Sequence, residues 1–166
     1  MTGSAWEITV TLPCPAWKAA CPQAVRLARA AARLALERSA PAGSGPVELG
    51  ITLTDDDAQR RLNRDYRGRD AATNVLAFPA AEPAVVPPVG APLLLGDVVL
   101  AFESVRREAD EQQKAFADHL RHLVVHGVLH LLGHDHESER EACAMETLET
   151  EILARMGVPD PYRETM

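Results

Sequence analysis

The stretch HGVLHLLGHDH, residues 126–136, constrains this chain more tightly than any other segment. His126 and His130 are four apart, and residues at that spacing on an α-helix lie one above the other, with Cβ atoms about 5–6 Å apart. Leu and Val fill the positions around them, so the helix, expected from about Ala115 to Leu132, belongs in the core rather than on the surface. Gly133 stops it, because glycine takes the left-handed conformation of a helix C-terminus without strain. The chain then turns, and His136 comes after the turn, where it can swing back toward the first two histidines.

Three imidazoles brought together in this way suit a metal ion at Zn–N distances of about 2.0–2.1 Å, with the fourth position left to water. Zinc leads; nickel, copper and iron also accept imidazole. The bland alternative is that helical histidines are only surface polarity or satisfied core groups. The third histidine, at its offset after a glycine break, weighs for the metal. The frame H-x-x-x-H-x-x-G-x-x-H is similar to that of metzincin zinc proteases, in which a glutamate general base follows the first histidine; here Gly127 stands at that place. His122 extends the stripe backward, but His122 and His130 are about 12 Å apart along a helix axis, too far to share one ion. His119 lies further still, and both are read as supporting or surface groups. His134 is four from His130 but follows the helix end, so His136 is preferred as the third ligand. Asp135 is either an acceptor for an imidazole N–H or a plain turn residue.

Alternating apolar residues predict strands over 6–12, 47–54 and 74–78, and LLLGDVVLAF (93–102), apolar on both faces, predicts a central fourth strand. Helices are expected from Pro22 to Ser39, from an N-cap at Thr54 to about Asp65, from Ser104 to Gln112, over the histidine segment, and from a capping box at Ser138 and Glu141 to Met156. The last of these turns Met145, Leu148, Ile152 and Met156 inward. The Pro- and Ala-rich segment 79–92 reads as an exposed loop between strands. Strands and helices do not alternate strictly. The expectation is therefore an α+β single domain over residues 1–166, a small mixed four-stranded sheet packed with about five helices, the metal-site helix in the core.

The net charge of −7 argues against a protein that coats nucleic acid nonspecifically, since such binding neutralises phosphates. The charge is uneven, however. RRLNRDYRGR (60–69) holds five arginines and one aspartate, and Arg26, Arg29 and Arg33 are spaced to share a helix face, so a local basic path for a specific nucleic acid stays open beside the plain reading of a solvated face. Three cysteines, Cys14, Cys21 and Cys143, read as reduced thiols of a cytoplasmic protein. No secretion signal or membrane-spanning run is visible.

The histidine stretch resembles the signature of the YbeY family. LNRDYRGRDAATNVLAFP (62–79), LLGDVVL (94–100) and METLETEILARMGVPDPY (145–162) resemble further family segments in the right order, whereas the N-terminal 45 residues match only in kind. The resemblance implies a single-strand-specific, metal-dependent bacterial endoribonuclease of rRNA processing, including 16S rRNA 3′-end maturation and ribosome quality control. It implies one Zn2+ held by His126, His130 and His136 plus water, and a functional arginine at Arg67. Ribosomal RNA and the small ribosomal subunit are the partners it implies, with contacts to ribosomal proteins or an assembly GTPase left open, and no membrane. Arg61, Arg64 and Arg69 are further candidates for contact with RNA. From the residues alone Arg67 ranks with Arg64 and Arg69, and a salt bridge to Asp65 or Asp70 is its plain reading. Two departures stand out: His134 where the family often has Tyr, and Ala77 where Ser is expected. The competing readings are a metzincin-like metalloprotease and a non-catalytic ribosome-assembly factor with a structural metal.

Overall fold

The computed structural model describes residues 6–40, 45–80, 90–134 and 137–162. Four strands, β1 (Glu7–Thr11), β2 (Val47–Thr54), β3 (Val75–Pro79) and β4 (Leu93–Ala101), form one sheet in the order β1-β2-β4-β3. β1, β2 and β4 run parallel, and β3 is antiparallel to β4 at the edge. Six helices accompany them among the described residues: α1 (Ala16–Ala20), α2 (Ala24–Ser39), α3 (Asp56–Arg67), α4 (Phe102–Glu111), α5 (Phe116–Leu131) and α6 (Glu139–Ala154). The α+β expectation holds, with β4 inside the sheet. The helix missing from it is α1. Five residues are too few to display a period, and α1 is held by one side chain: Trp17, fully buried, packs against Phe102 and Phe116 and donates its indole N–H to the Thr54 carbonyl at 2.8 Å.

Val47, Leu49, Ile51 and Leu53 of β2 face the main core with Ile8 of β1. β4 reaches the same face with Leu95, Val98 and Leu100, whose numbers differ in parity. A bulge reconciles them: Glu48 pairs with Leu94 but Leu49 with Gly96, so Leu95 is an extra residue on β4. Gly96 takes a φ of 122°, and a Cβ there would lie 2.1 Å from the Phe78 carbonyl oxygen of β3. The helix layer over this face is α2, α5 and α6. α5 is buried over most of its circumference, through Leu120, Leu123, Val124, Val125, Val128 and Leu129 among others. It ends where the sequence places its end, with Gly133 at φ 101° just past it.

Leu76 and Val99 are buried on the opposite side of the sheet, and α3 closes against β4 there. The N-cap of α3 is Asp55, whose side chain accepts from the Ala58 N–H at 2.7 Å, and not the expected Thr54. Thr54 stays in β2 because it pairs with Ala101 and serves Trp17. α3 also runs on to Arg67, with Gly68 left-handed behind it. Gln59, fully buried, ties α3 to the sheet and to the loop that follows it, donating to the Val99 carbonyl at 3.0 Å and accepting from the Thr73 N–H at 2.9 Å. Gln59→Ala strands both backbone groups, at about 1–3 kcal/mol for each unsatisfied buried group. We expect it to lower stability by roughly 2–4 kcal/mol, read from the midpoint of urea unfolding.

Candidate active site

His126 and His130 lie on adjacent turns of α5 near its C-terminal end, with ring centroids 6.4 Å apart and planes 17° apart. The rings stand side by side along the helix. Both line a cavity of about 170 Å³ whose other walls are Gly127, Val75, Leu76, Ala77 and Arg67. The cavity joins three elements: α5 supplies the imidazoles, β3 the apolar wall, and the last residue of α3 the guanidinium. His136, the third expected ligand, and Asp135 lie outside the described residues. Among the described residues no three His, Cys, Asp or Glu side chains gather as a metal's ligands would.

Gly127 is buried at the contact between α5 and the sheet. A Cβ at this position would lie 2.7 Å from Val98 Cγ1 and 3.5 Å from Val75 Cγ2. The helix approaches the sheet closely because this residue has no side chain, and the glutamate of a zinc protease has no room at its root. The place that lacks a general base is thus a packing contact.

Arg67 pairs with neither Asp65 nor Asp70. It donates to the Ala77 carbonyl oxygen of β3, and its guanidinium sits over the Phe78 ring, 5.0 Å from the centroid. The salt bridges go to its neighbours: Arg60 to Asp57 and Asp70, Arg61 to Asp57 at 2.7 Å, and Arg64 to Asp65 at 3.4 Å. Arg61, Arg64 and Arg69 are exposed on or just beyond α3. Arg29 of α2 donates to the Ile8 carbonyl of β1 at 3.2 Å and Arg33 lies over the ring of Trp6, just before β1, while Arg26 bonds to Gln23.

Behind the cavity lies a group the sequence reading passed over. Glu149 of α6 is fully buried. Its Oε1 is 2.7 Å from His126 Nδ1 and 3.4 Å from His122 Nε2, and its Oε2 accepts from the Tyr162 hydroxyl at 2.5 Å. His122 Nε2 is also 3.2 Å from that hydroxyl oxygen. Burial pushes the Glu149 carboxyl up, but the hydrogen bonds from His122, His126 and Tyr162 outweigh it and hold the carboxyl down to about 2. Burial and the adjacent carboxylate both push the Tyr162 hydroxyl up. A signal existed: position 149 falls on the inward face between Met145 and Ile152, and glutamate is almost never fully buried without partners. His122 and His119 are likewise interior. His119 contacts Glu108 at 2.6 Å, and burial lowers its affinity for a proton despite that partner.

The donor set fits a metal such as zinc: two imidazoles on one cavity wall, one of them backed at Nδ1 by a buried carboxylate, the arrangement in which a histidine ligates through its other nitrogen. An arginine fork opposite them suits an oxyanion such as a phosphate. Fold and site together define the class as a small α+β domain with two histidines and an arginine lining one cavity. The sequence profile of the family described as Endoribonuclease YbeY matches residues 17–157. An Endoribonuclease YbeY of Paramagnetospirillum magneticum is 53% identical over 159 residues, covering 95% of this chain and 96% of the relative. One of Rhodopseudomonas palustris is 53% identical over 148 residues, covering 87% and 77%. The chain belongs to the YbeY family, a family of enzymes. The fold is similar to the solution structure of TM1509 from Thermotoga maritima, with a TM-score of 0.57 at 22% identity, covering 95% of this chain and 99% of that one.

Proposed function

We propose that this chain is a metal-dependent endoribonuclease that cuts single-stranded segments of ribosomal RNA in the cytoplasm. In this reading it acts as one domain, in 16S rRNA 3′-end maturation and ribosome quality control on the small subunit, with ribosomal proteins or an assembly GTPase as further contacts. The observation that carries the proposal is the shared cavity: Arg67 from α3 and His126 and His130 from α5, remote in sequence, line one space of about 170 Å³. Membership of a family named for endoribonuclease activity supports it.

His126 and His130, with His136, are the residues that would hold Zn2+. When bound, the ion supplies Lewis acidity, drawing charge from a phosphoryl oxygen and lowering the pKa of a water toward about 7. That chemistry makes the missing glutamate unnecessary. A peptide's amine leaving group needs a proton that a carboxylate ferries, whereas the burden at a phosphodiester is the negative charge of the transition state. Arg67 meets that burden. Its fork is held in place by the Ala77 carbonyl and the Phe78 ring, so its remaining N–H groups are presented without the cost of ordering a long side chain. Val75 and Ala77 of β3 give the same cavity an apolar wall. Arg61, Arg64 and Arg69 extend the basic edge along which the strand runs. The ion pairs of Arg61 and Arg64 are exposed and so cost little to exchange for phosphates.

The test is cleavage of a structured RNA carrying a single-stranded segment, with and without chelator, beside a casein control. Arg67→Ala is expected to lower the rate about 100- to 1000-fold, the scale for losing one preorganised donor to a developing oxyanion. Arg67→Lys recovers only part of it, because an ammonium lacks the planar fork. RNA cleavage unaffected by chelator, or equal in wild type and Arg67→Ala, removes the proposal. A substrate with a single deoxynucleotide at the cut separates attack by water from attack by the substrate's own 2′-OH.

A further inference from the structure

The geometry assigns Glu149 as the positioning residue of the site: clamped by Tyr162 and His122, it holds the His126 ring in the one tautomer and orientation that presents Nε2 for ligation. The inference rests on the reading of His126 as a metal ligand.

Glu149 comes from α6 and Tyr162 from the segment beyond it, so neither belongs to the helix that carries the histidines. Glu149 has no exposure to solvent and meets three groups able to donate: the His126 ring at 2.7 Å, the His122 ring at 3.4 Å and the Tyr162 hydroxyl at 2.5 Å. A buried carboxylate accepts and does not donate. The short contact at Nδ1 therefore requires a proton on Nδ1 of His126, which leaves Nε2, on the opposite edge of the ring, with its lone pair in the neutral imidazole. The hydrogen bond also fixes ring rotation and raises the basicity of the other nitrogen.

Tyr162 makes the device depend on the end of the described chain. Asp160 accepts from the Tyr162 N–H at 2.9 Å and from the Thr150 hydroxyl of α6 at 3.3 Å, and Lys114 Nζ donates to the Pro161 carbonyl at 2.9 Å, so the segment is tied both to α6 and to the loop between α4 and α5. The strap covers the carboxylate on the side away from His126. Without the Tyr162 hydroxyl, Oε2 loses its short donor and the carboxylate is less firmly aimed.

Two measurements test this. In metal-free wild-type protein, ¹⁵N shifts of the His126 ring are expected to report the Nδ1-protonated tautomer; an Nε2-protonated ring overturns the inference without any substitution. Zn2+ affinity is then measured by competition with a chromophoric chelator. Glu149→Gln, in which one acceptor becomes an N–H facing other donors, is expected to bind about 10- to 100-fold more weakly, the usual scale for losing such a partner. Tyr162→Phe, which leaves the core intact, is expected to weaken binding in the same direction by a smaller factor. Wild-type affinity in both variants overturns the inference. His130→Ala in parallel keeps the two readings apart. If it abolishes Zn2+ binding while Glu149→Gln and Tyr162→Phe do not weaken it, the positioning role alone fails; if wild type itself takes no Zn2+, the metal reading fails and takes this inference with it.

Discussion

His130→Ala is expected to retain the fold, lose its bound metal and cut RNA roughly a thousandfold more slowly than wild type. Lewis-acid stabilisation by a bound ion is worth several kcal/mol, and each 1.4 kcal/mol or so is tenfold in rate. The fold should survive because His130 sits on the last full turn of α5 at a cavity wall, not among the buried Leu and Val residues that hold the helix. Elemental analysis of purified protein, comparing wild type with the His126→Ala/His130→Ala double variant, reads the metal directly. Weak ribonucleases are easily contaminated, so the variants must be purified in parallel with wild type. If His130→Ala folds, still associates with ribosomal subunits and restores normal rRNA ends in a strain lacking the protein, the enzymatic reading is wrong and an assembly role replaces it.

Gly127→Glu is expected to destabilise the protein by about 2–4 kcal/mol and to create no peptidase. Overpacking a tight core contact costs about 1–3 kcal/mol. Losing glycine from a helix interior returns less than about 1 kcal/mol, and a carboxylate forced against Val98 and Val75 adds desolvation. Val98 cannot easily yield, because it is a β-branched residue in a strand paired on both sides. For a domain of this size the melting temperature should fall by about 5–15 °C. Gly127→Ala should fall less, because the helix gain offsets more of the clash. A Gly127→Glu protein that melts with wild type and cleaves casein would show that the glycine had merely replaced the base. The expected result shows that helix and sheet are packed too closely for it.

How much of this site was legible depends on how far apart its parts lie in the chain. The pair His126 and His130 is a local fact, since four residues on a helix define a direction before any tertiary contact forms. The stop at Gly133 is local in the same sense, and the structure has it where the spacing placed it. The N-cap of α3 was misplaced by one residue because the competitor for Thr54 was not local: Trp17, thirty-seven positions earlier, takes its carbonyl. Arg67 could not be told from Arg64 or Arg69 by composition. What separates it is the Ala77 carbonyl and the Phe78 ring, contacts made only when β3 folds against the end of α3.

By itself, then, the sequence determined the larger pieces: the four strands and the five longer helices, which helix is apolar enough to lie inside, and that two histidines share a line along it. These follow from periodicity and backbone preference, which act over a few residues. Only the tertiary structure decided that Gly127 is a contact surface, that Arg67 faces the histidines, and that Glu149 stands behind His126. Each depends on two elements meeting at a particular depth and rotation, set by the packing of side chains far apart in the chain. A buried carboxylate is stable only where those elements bring donors to it, so its place emerges with the fold and not before.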